Sequence, residues 1–354
     1  MSAYIIRRIL LLPFLLFGIT IMIFGMLSFL SPVERSALWV HDVPRNERMI
    51  DGIIRKYGLD EPIYKQYYIW LVGTQDGETG EWEGGILRGD FGYSRSASQQ
   101  VVDIIKARLP NTLDLAIWSV LPILLVGVLL GVIAAINHNR FIDQFARIFS
   151  ILGWSFPTFV FALVALMIFY AKLEWFPPGR ISDWANQIVL SAEFSKYTHI
   201  LSFDALLNGR FDIFIDIMRH MILPVITLSY LSWALMLRVT RSSMLETLRQ
   251  EYVTTARSKG LKESAVIMRH ALPNALIPVV TIAGFTVVAL MNGVVITETI
   301  FNYPGIGRAA ARAALNLDVV AILGLTMFNG LILVVANLVV DALYAVVDPR
   351  VRLS

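Results

Sequence analysis

Six stretches of this chain are apolar over lengths that match a hydrocarbon core, which takes about 20 helical residues to cross. They run from Ile9 to about Leu30 and then roughly over 113–136, 148–170, 219–241, 276–298 and 319–345. The run at 219–241 is flanked by Arg219 and Arg238, yet its centre, MILPVITLSYLSWALML, is uncharged. The pattern predicts an all-α integral membrane protein with six transmembrane helices and a long extracytoplasmic loop between the first two. The first run is longer than the apolar core of a signal peptide and lacks an A-x-A-like end, so it reads as a retained first helix. Pro13 falls in its first turns, where a missing N–H matters least. Pro122, Pro157, Pro224 and Pro278 lie inside or near the ends of later runs. Kinks there either shape a cavity in the bundle or are the ordinary prolines of membrane helices.

The segments between the runs carry their own patterns. Residues 31–112 form a polar excursion. Within it Asp60-Glu61-Pro62 opens a helix continued by the aromatic-rich IYKQYYIWL, and residues 73–85 are a turn-rich spacer. Ser98 is expected to cap a second amphipathic helix, QQVVDIIKARL, ended by Pro110. The triplet Arg88-Gly89-Asp90 is set aside as an adhesion motif, because so short a match arises by chance. Residues 180–215, with FDALLNGRFDIFIDIM, fit only outside the membrane. The most polar segment between two strongly apolar runs is EYVTTARSKGLKESAVIMRHALP, residues 251–273. Its pattern is helix, turn, helix. Val253, Ala256 and Gly260 share one face of the first half; Leu261, Ala265, Met268 and Leu272 share one of the second. Gly260 stands where a left-handed residue would end the first helix. Ala256 and Gly260, four apart, predict a face bare enough for close docking.

Composition agrees with the membrane reading. The chain has 354 residues, 56% of them hydrophobic, a mean hydropathy of +0.64 and only 16% charged, against about 25% charged in soluble domains. A net charge of +3 and a pI near 9.1 would suggest nucleic acid in a soluble protein. Here the positive-inside rule explains the excess. With the N-terminus inside, the inner segments hold Arg7, Arg8, Arg140, Arg147, Arg238, Arg241, Arg249, Arg257, Lys259, Lys262, Arg269, Arg350 and Arg352 against Asp143, Glu246, Glu251, Glu263 and Asp348. Both termini and the 251–273 hairpin are therefore expected in the cytoplasm, and no nucleic-acid partner is expected. Cysteine is absent, which excludes disulfides and thiolate metal sites. There is no G-x-x-x-x-G-K-[ST] and no H-E-x-x-H, and the five histidines are scattered. No catalytic group, metal site or cofactor of its own is expected.

Residues 254–273, TTARSKGLKESAVIMRHALP, resemble the EAA motif of ATP-binding-cassette importer permeases. Ala256, Gly260, Leu272 and Pro273 match in register; Thr254 and Thr255 stand at the Glu and first Ala positions, and His270 replaces an Ile. Glu251, one turn earlier, is a possible substitute acid. Other segments narrow the resemblance to the first permease subunit of the dipeptide/oligopeptide (peptide/nickel) family. These are YIIRRILLLPFLLFGITIMIF, KYGLDEPIYKQYYIWL, GDFGYS, VVDIIKARLPNTLDL, ETIFNYPGIGRAA and VVDPRVR, in that order along nearly the whole chain.

The resemblance implies a permease subunit with a first helix in 1–30, an outer loop at 31–112 and a core at 113–345. That core would carry an outer segment at 171–218 and the coupling hairpin at 251–273, and a cytoplasmic tail would follow at 346–354. Coupling would run through Thr254, Thr255, Ala256, Gly260, Leu261, His270, Leu272 and Pro273. Implied partners are a second homologous permease, two ATPase subunits that bind ATP and Mg, an extracytoplasmic substrate-binding protein and the inner-membrane bilayer. Peptide is the implied cargo, with an oligosaccharide or a nickel complex as alternatives; a passive channel, a membrane enzyme or a scaffold are rival classes. Glu298 leaves two readings open. It caps or pairs locally after Tyr303-Pro304-Gly305, or with Arg308. Otherwise Glu298, Phe301, Pro304, Gly305, Gly307 and Arg308 form part of an outer gate.

Overall fold

A computed structural model describes residues 2–36, 47–75, 80–291 and 294–347. The expected tail lies outside the described residues from position 348 on. The principal helices are α1 (Ser2–Ser28), α2 (Ile63–Val72), α3 (Val101–Ile136), α4 (Phe141–Ser155), α5 (Thr158–Ala165), α6 (Asp183–Val189) and α7 (Leu201–Leu207). They continue with α8 (Phe211–Thr247), α9 (Glu251–Ser258), α10 (Ile277–Met291), α11 (Val295–Ile300), α12 (Ile306–Leu315) and α13 (Val319–Val347). Among the described residues three helices are long and apolar enough to cross a membrane, or up to six if each bent pair is one span, by length and composition. The described residues divide into two compact units, one drawn from 111–304 with 339–347 and one from 2–110 with 305–338.

The first unit is built around α8, which packs against α4, α5, α7, α10 and α11. Its core joins Leu115, Ile123, Ile213, Ile217, Met221 and Met236. Two glycines let α3 approach α8 closely. A Cβ on Gly127 would lie 2.5 Å from Met236 Cβ, and one on Gly131 would lie 2.5 Å from Thr240 Cβ and 2.9 Å from the Leu237 carbonyl oxygen. The helix α4 joins them where Ser150 donates to the Ala234 carbonyl at 3.0 Å. The segment 171–218 is folded into the same core. Ala185, Val189, Phe194, Leu201 and Ala205 are buried there, and the Ser182 amide and hydroxyl donate to the Asp216 carboxylate.

In the second unit α1 packs on α2 through Phe24, Tyr67 and Trp70, with Thr20 and Tyr67 sharing a 2.7 Å hydroxyl contact. Val101, Ile104 and Ile105 form a core with Ile306, Ala313, Val320 and Leu325. Two expectations fail in this unit. Ser98 does not cap a helix; at φ 52° it turns a two-stranded ribbon, Tyr93–Ser94 against Gln99–Gln100. Asp318 holds that ribbon, accepting from the Ser94 hydroxyl at 2.8 Å and the Ser96 amide at 2.9 Å. Nor does Pro110 end a helix, because α3 continues to Ile136; a proline deletes one donor, and a helix in a bundle tolerates that. Arg88-Gly89-Asp90 forms a turn with Gly89 at φ 83°. Its Arg88 side chain is spent on the Val72 carbonyl and the Trp82 ring.

Candidate functional site

The hairpin is the most polar structure between apolar helices. Helix α9 ends at Ser258; Lys259 caps it, and Gly260 enters the left-handed region at φ 75°, its amide bonded to the Arg257 carbonyl at 2.9 Å. A residue with a Cβ would be strained in that conformation. Arg257 then reaches across the turn to Glu263, Nη2 to Oε1 at 2.7 Å, which holds the Glu263 carboxyl below its ordinary range. Both side chains are half exposed, so the pair shapes the turn more than it stabilises it. The return segment is helical from Glu263, but Val266–Ala271 is a wide π turn.

That π turn changes which face is buried. The inward residues are Val266, Ile267, Ala271 and Ala275, not the expected set led by Leu261, Ala265 and Met268. Leu261 and Met268 are 43% and 58% exposed. The i→i+5 step of a π turn inserts an extra residue per turn, so an α-helical spacing drawn through it selects the wrong stripe. The first half also differs from expectation. Val253 and Ala256 are buried against the chain itself, in a cluster with Ala135 and Met244. The bare face at Ala256 is therefore used to seat the hairpin on the ends of α3 and α8. What remains open is the opposite side, Thr254 and Thr255, and the tip from Arg257 through Glu263. Thr254 and Thr255 fold their hydroxyls back onto the carbonyls of Gln250 and Glu251. His270 and Leu272 are half-buried, and Pro273 is exposed within the short helix Leu272–Ala275.

At the other end of the first unit lies a buried polar network, of which the sequence reading named Glu298 but not its partners. Glu298, fully buried on α11, accepts a hydrogen bond from the Thr112 hydroxyl at 2.8 Å. The neighbouring Asn111 donates to the Pro304 carbonyl at 2.8 Å. One turn along α3, the buried Asp114 carboxylate accepts from the Ser202 hydroxyl and amide, and Ser202 in turn accepts from the Trp118 indole at 3.0 Å. The Gly179 amide donates to the Phe301 carbonyl at 2.8 Å. These bonds tie residues 298–304 to the start of the apolar part of α3 and to the 171–218 segment. Phe301 packs on Ala162, Ala165 and Leu223, and Tyr303, wholly buried, has its phenol pushed far above the ordinary range by burial. A polar residue in an apolar run, Thr112 or Asp114, was the available signal; buried acids in membrane proteins require such donors. Of the other expected gate residues, Gly305 precedes α12, while Gly307 and Arg308 lie on it, in the second unit.

Residues 127–353 match the family model described as binding-protein-dependent transport system inner membrane component. Residues 1–116 match the N-terminal model of such membrane components. An oligopeptide transport system permease protein of Bacillus subtilis is 36% identical over 353 residues, 99% of this chain and 100% of that protein. A probable D,D-dipeptide transport system permease of Escherichia coli is 34% identical, covering 94% of this chain and 93% of its own. A di/tripeptide transport system permease of Pseudomonas aeruginosa is 34% identical with 99% of each chain covered. These matches run along the same helices that carry the hairpin and the buried network, and the chain belongs to the family of inner-membrane permease subunits of binding-protein-dependent, ATP-binding-cassette importers.

Proposed function

We propose that this chain, as one of two homologous permeases, lines a path for peptide-like substrates through six spans per subunit. The observation that supports this cargo is full-length similarity to proteins named for oligopeptide, D,D-dipeptide and di/tripeptide transport. A binding protein would deliver substrate on the side of residues 31–112 and 171–218. Two ATPase subunits holding ATP and Mg would dock on the hairpin at 251–273, with both termini on that cytoplasmic side. The open tip and the Thr254–Thr255 side give the ATPases a cationic surface, while Val253 and Ala256 anchor it. Residues 298–304 act as part of the outer gate, with Glu298 and Phe301 packed at its base and Gly305, Gly307 and Arg308 continuing the segment.

The test is ATP-driven uptake in vesicles containing this chain with its partner permease, ATPases and binding protein. Labelled di-, tri- and oligopeptides should accumulate in an ATP-dependent manner. Uptake of an oligosaccharide or a nickel chelate without peptide uptake would overturn the cargo; no ATP-driven uptake of any of them would overturn the coupling.

A further inference from the structure

We propose that Asp143 is a positioning residue for coupling: its buried ion pair with Arg241 locks the α3–α4 turn to the inner end of α8, so that hairpin movement carried into α8 is passed on to α4. The inference rests on the reading of 251–273 as the ATPase dock.

Asp143 opens α4 and has no exposed side-chain surface. Its carboxylate accepts from Arg241 Nε at 2.5 Å and Nη2 at 2.8 Å, a two-pronged contact from α8. It also accepts from Arg147 Nη2 at 3.1 Å and from the Asn139 amide at 2.9 Å. Asn139 is left-handed at φ 61°, which turns the chain so that its amide points back at the carboxylate. Three of these donors share Oδ2 and one takes Oδ1, His138 Nδ1 lies 3.6 Å from Oδ2, and the Arg241 fork holds Asp143 well below the usual carboxylate range.

A buried ion pair is poor evidence of stability, since apolar residues of the same volume do as well; fixing register is its best-attested use. Apart from the Ser150 hydroxyl on the Ala234 carbonyl farther along, the contacts next to this pair are apolar. Ala146 and Phe149 lie against Leu237 and Ala134, and such surfaces tolerate small slides. The forked Arg241–Asp143 contact does not, because a shift of an ångström breaks both prongs. Arg241 stands about one turn before Met244 of α8 and two before Leu248 just past its end, the residues on which Val253, Ala256 and Val266 of the hairpin rest. A push on the hairpin is therefore carried into α8 by packing, and from α8 into α4 by the ion pair.

The experiment compares wild type, D143N and R241K in the importer reconstituted with the partner permease, ATPases and binding protein, counted as assembled complexes by size-exclusion. The readout is substrate taken up per ATP hydrolysed. A merely structural role would lower the yield or the melting midpoint and leave this ratio alone. We expect D143N, which keeps the volume and loses the charge, to lower the ratio at least fivefold. R241K keeps the charge but loses the fork, and should lower it by a smaller but measurable factor, at least twofold. Should D143N fail to assemble, R241K decides alone. An unchanged ratio in an assembled variant overturns the proposal. Absence of ATP-driven uptake in wild type would count against the docking reading itself, and uptake with unchanged variants only against the lock.

Discussion

The close crossing of α3 and α8 makes a sharp prediction at Gly131. Alanine there would place its Cβ 2.5 Å from Thr240 Cβ and 2.9 Å from the Leu237 carbonyl oxygen, where carbon atoms rest about 3.5–4.0 Å apart. Thr240 Cβ is fixed to the α8 backbone, so no rotamer change relieves the overlap. The helices must separate by roughly 1 Å, forfeiting part of the contact energy along the crossing; overpacking of this kind costs about 1–3 kcal/mol. Replacing glycine in a helix recovers up to about 1 kcal/mol of propensity, which leaves a net destabilisation of about 1–2 kcal/mol. For a chain of 354 residues the apparent melting midpoint in detergent should therefore fall by about 2–3 °C. Gly18→Ala is the control: no atom lies within 4 Å of the added Cβ, so only the propensity gain remains. The assay is thermal unfolding of each purified variant by tryptophan fluorescence. A Gly131→Ala midpoint equal to that of Gly18→Ala would refute the close crossing as a determinant of the fold.

Four further outcomes are expected. Gly260→Val meets no neighbour within 4 Å, so its cost is backbone strain of about 1–2 kcal/mol, and it should lower co-purification of the ATPases while leaving the membrane helices folded; undiminished co-purification would remove the hairpin from the dock. Against a chain without native cysteine, Lys196→Cys should react with an impermeant thiol reagent added outside intact cells and Ser258→Cys should not, the reverse pattern overturning the orientation. Glu298→Gln keeps the volume and the contact to Thr112 but removes the charge; if residues 298–304 are a gate, it alters binding-protein stimulation of ATPase activity in assembled complexes, and normal stimulation would restrict Glu298 to a local role. Because Arg241 depresses Asp143, the pair stabilises fully above the ordinary carboxylate value near 4 and loses its contribution as pH falls below it. Wild type should thus lose more stability than D143N between about pH 4 and pH 2, and parallel acid profiles would contradict the pairing.

Much of the architecture was legible because membranes write long signals. Runs of about 20 apolar residues survive any local irregularity, and the helices α1, α3 and α13 fall where such runs stand. Legibility failed where one local rule was asked to decide alone. Pro110 is a helix breaker in water, yet α3 passes through it. Ser98 is a favoured cap residue, but three donors to Asp318, far away in sequence, commit its ribbon instead. Nothing within ten residues of Ser98 announces Asp318.

The hairpin shows the same division inside one motif. Its turn was legible, because Gly260 answers a purely local requirement for positive φ. Its faces were not. A stripe drawn at 3.6 residues assumes an unbroken α-helix, and Val266–Ala271 is a π turn, so the inward set becomes Val266, Ile267, Ala271 and Ala275. Ala256 misled for a different reason. A small residue marks close approach, but small size does not say to what; here the partner is Met244 and Ala135 of the same chain. The Gly127-Val-Leu-Leu-Gly131 spacing, small residues four apart in a membrane run, favours helix–helix contact, but only the structure shows that the partner is Met236, Leu237 and Thr240 of α8. Asp143 carried no pattern at all. One acid in a cationic turn looks like a solvated charge, and only the convergence of Arg241, Arg147 and the Asn139 amide turns it into the joint between two helices. The seat of the hairpin is made of residues such as Ala135 and Met244 which, taken singly, read as ordinary core.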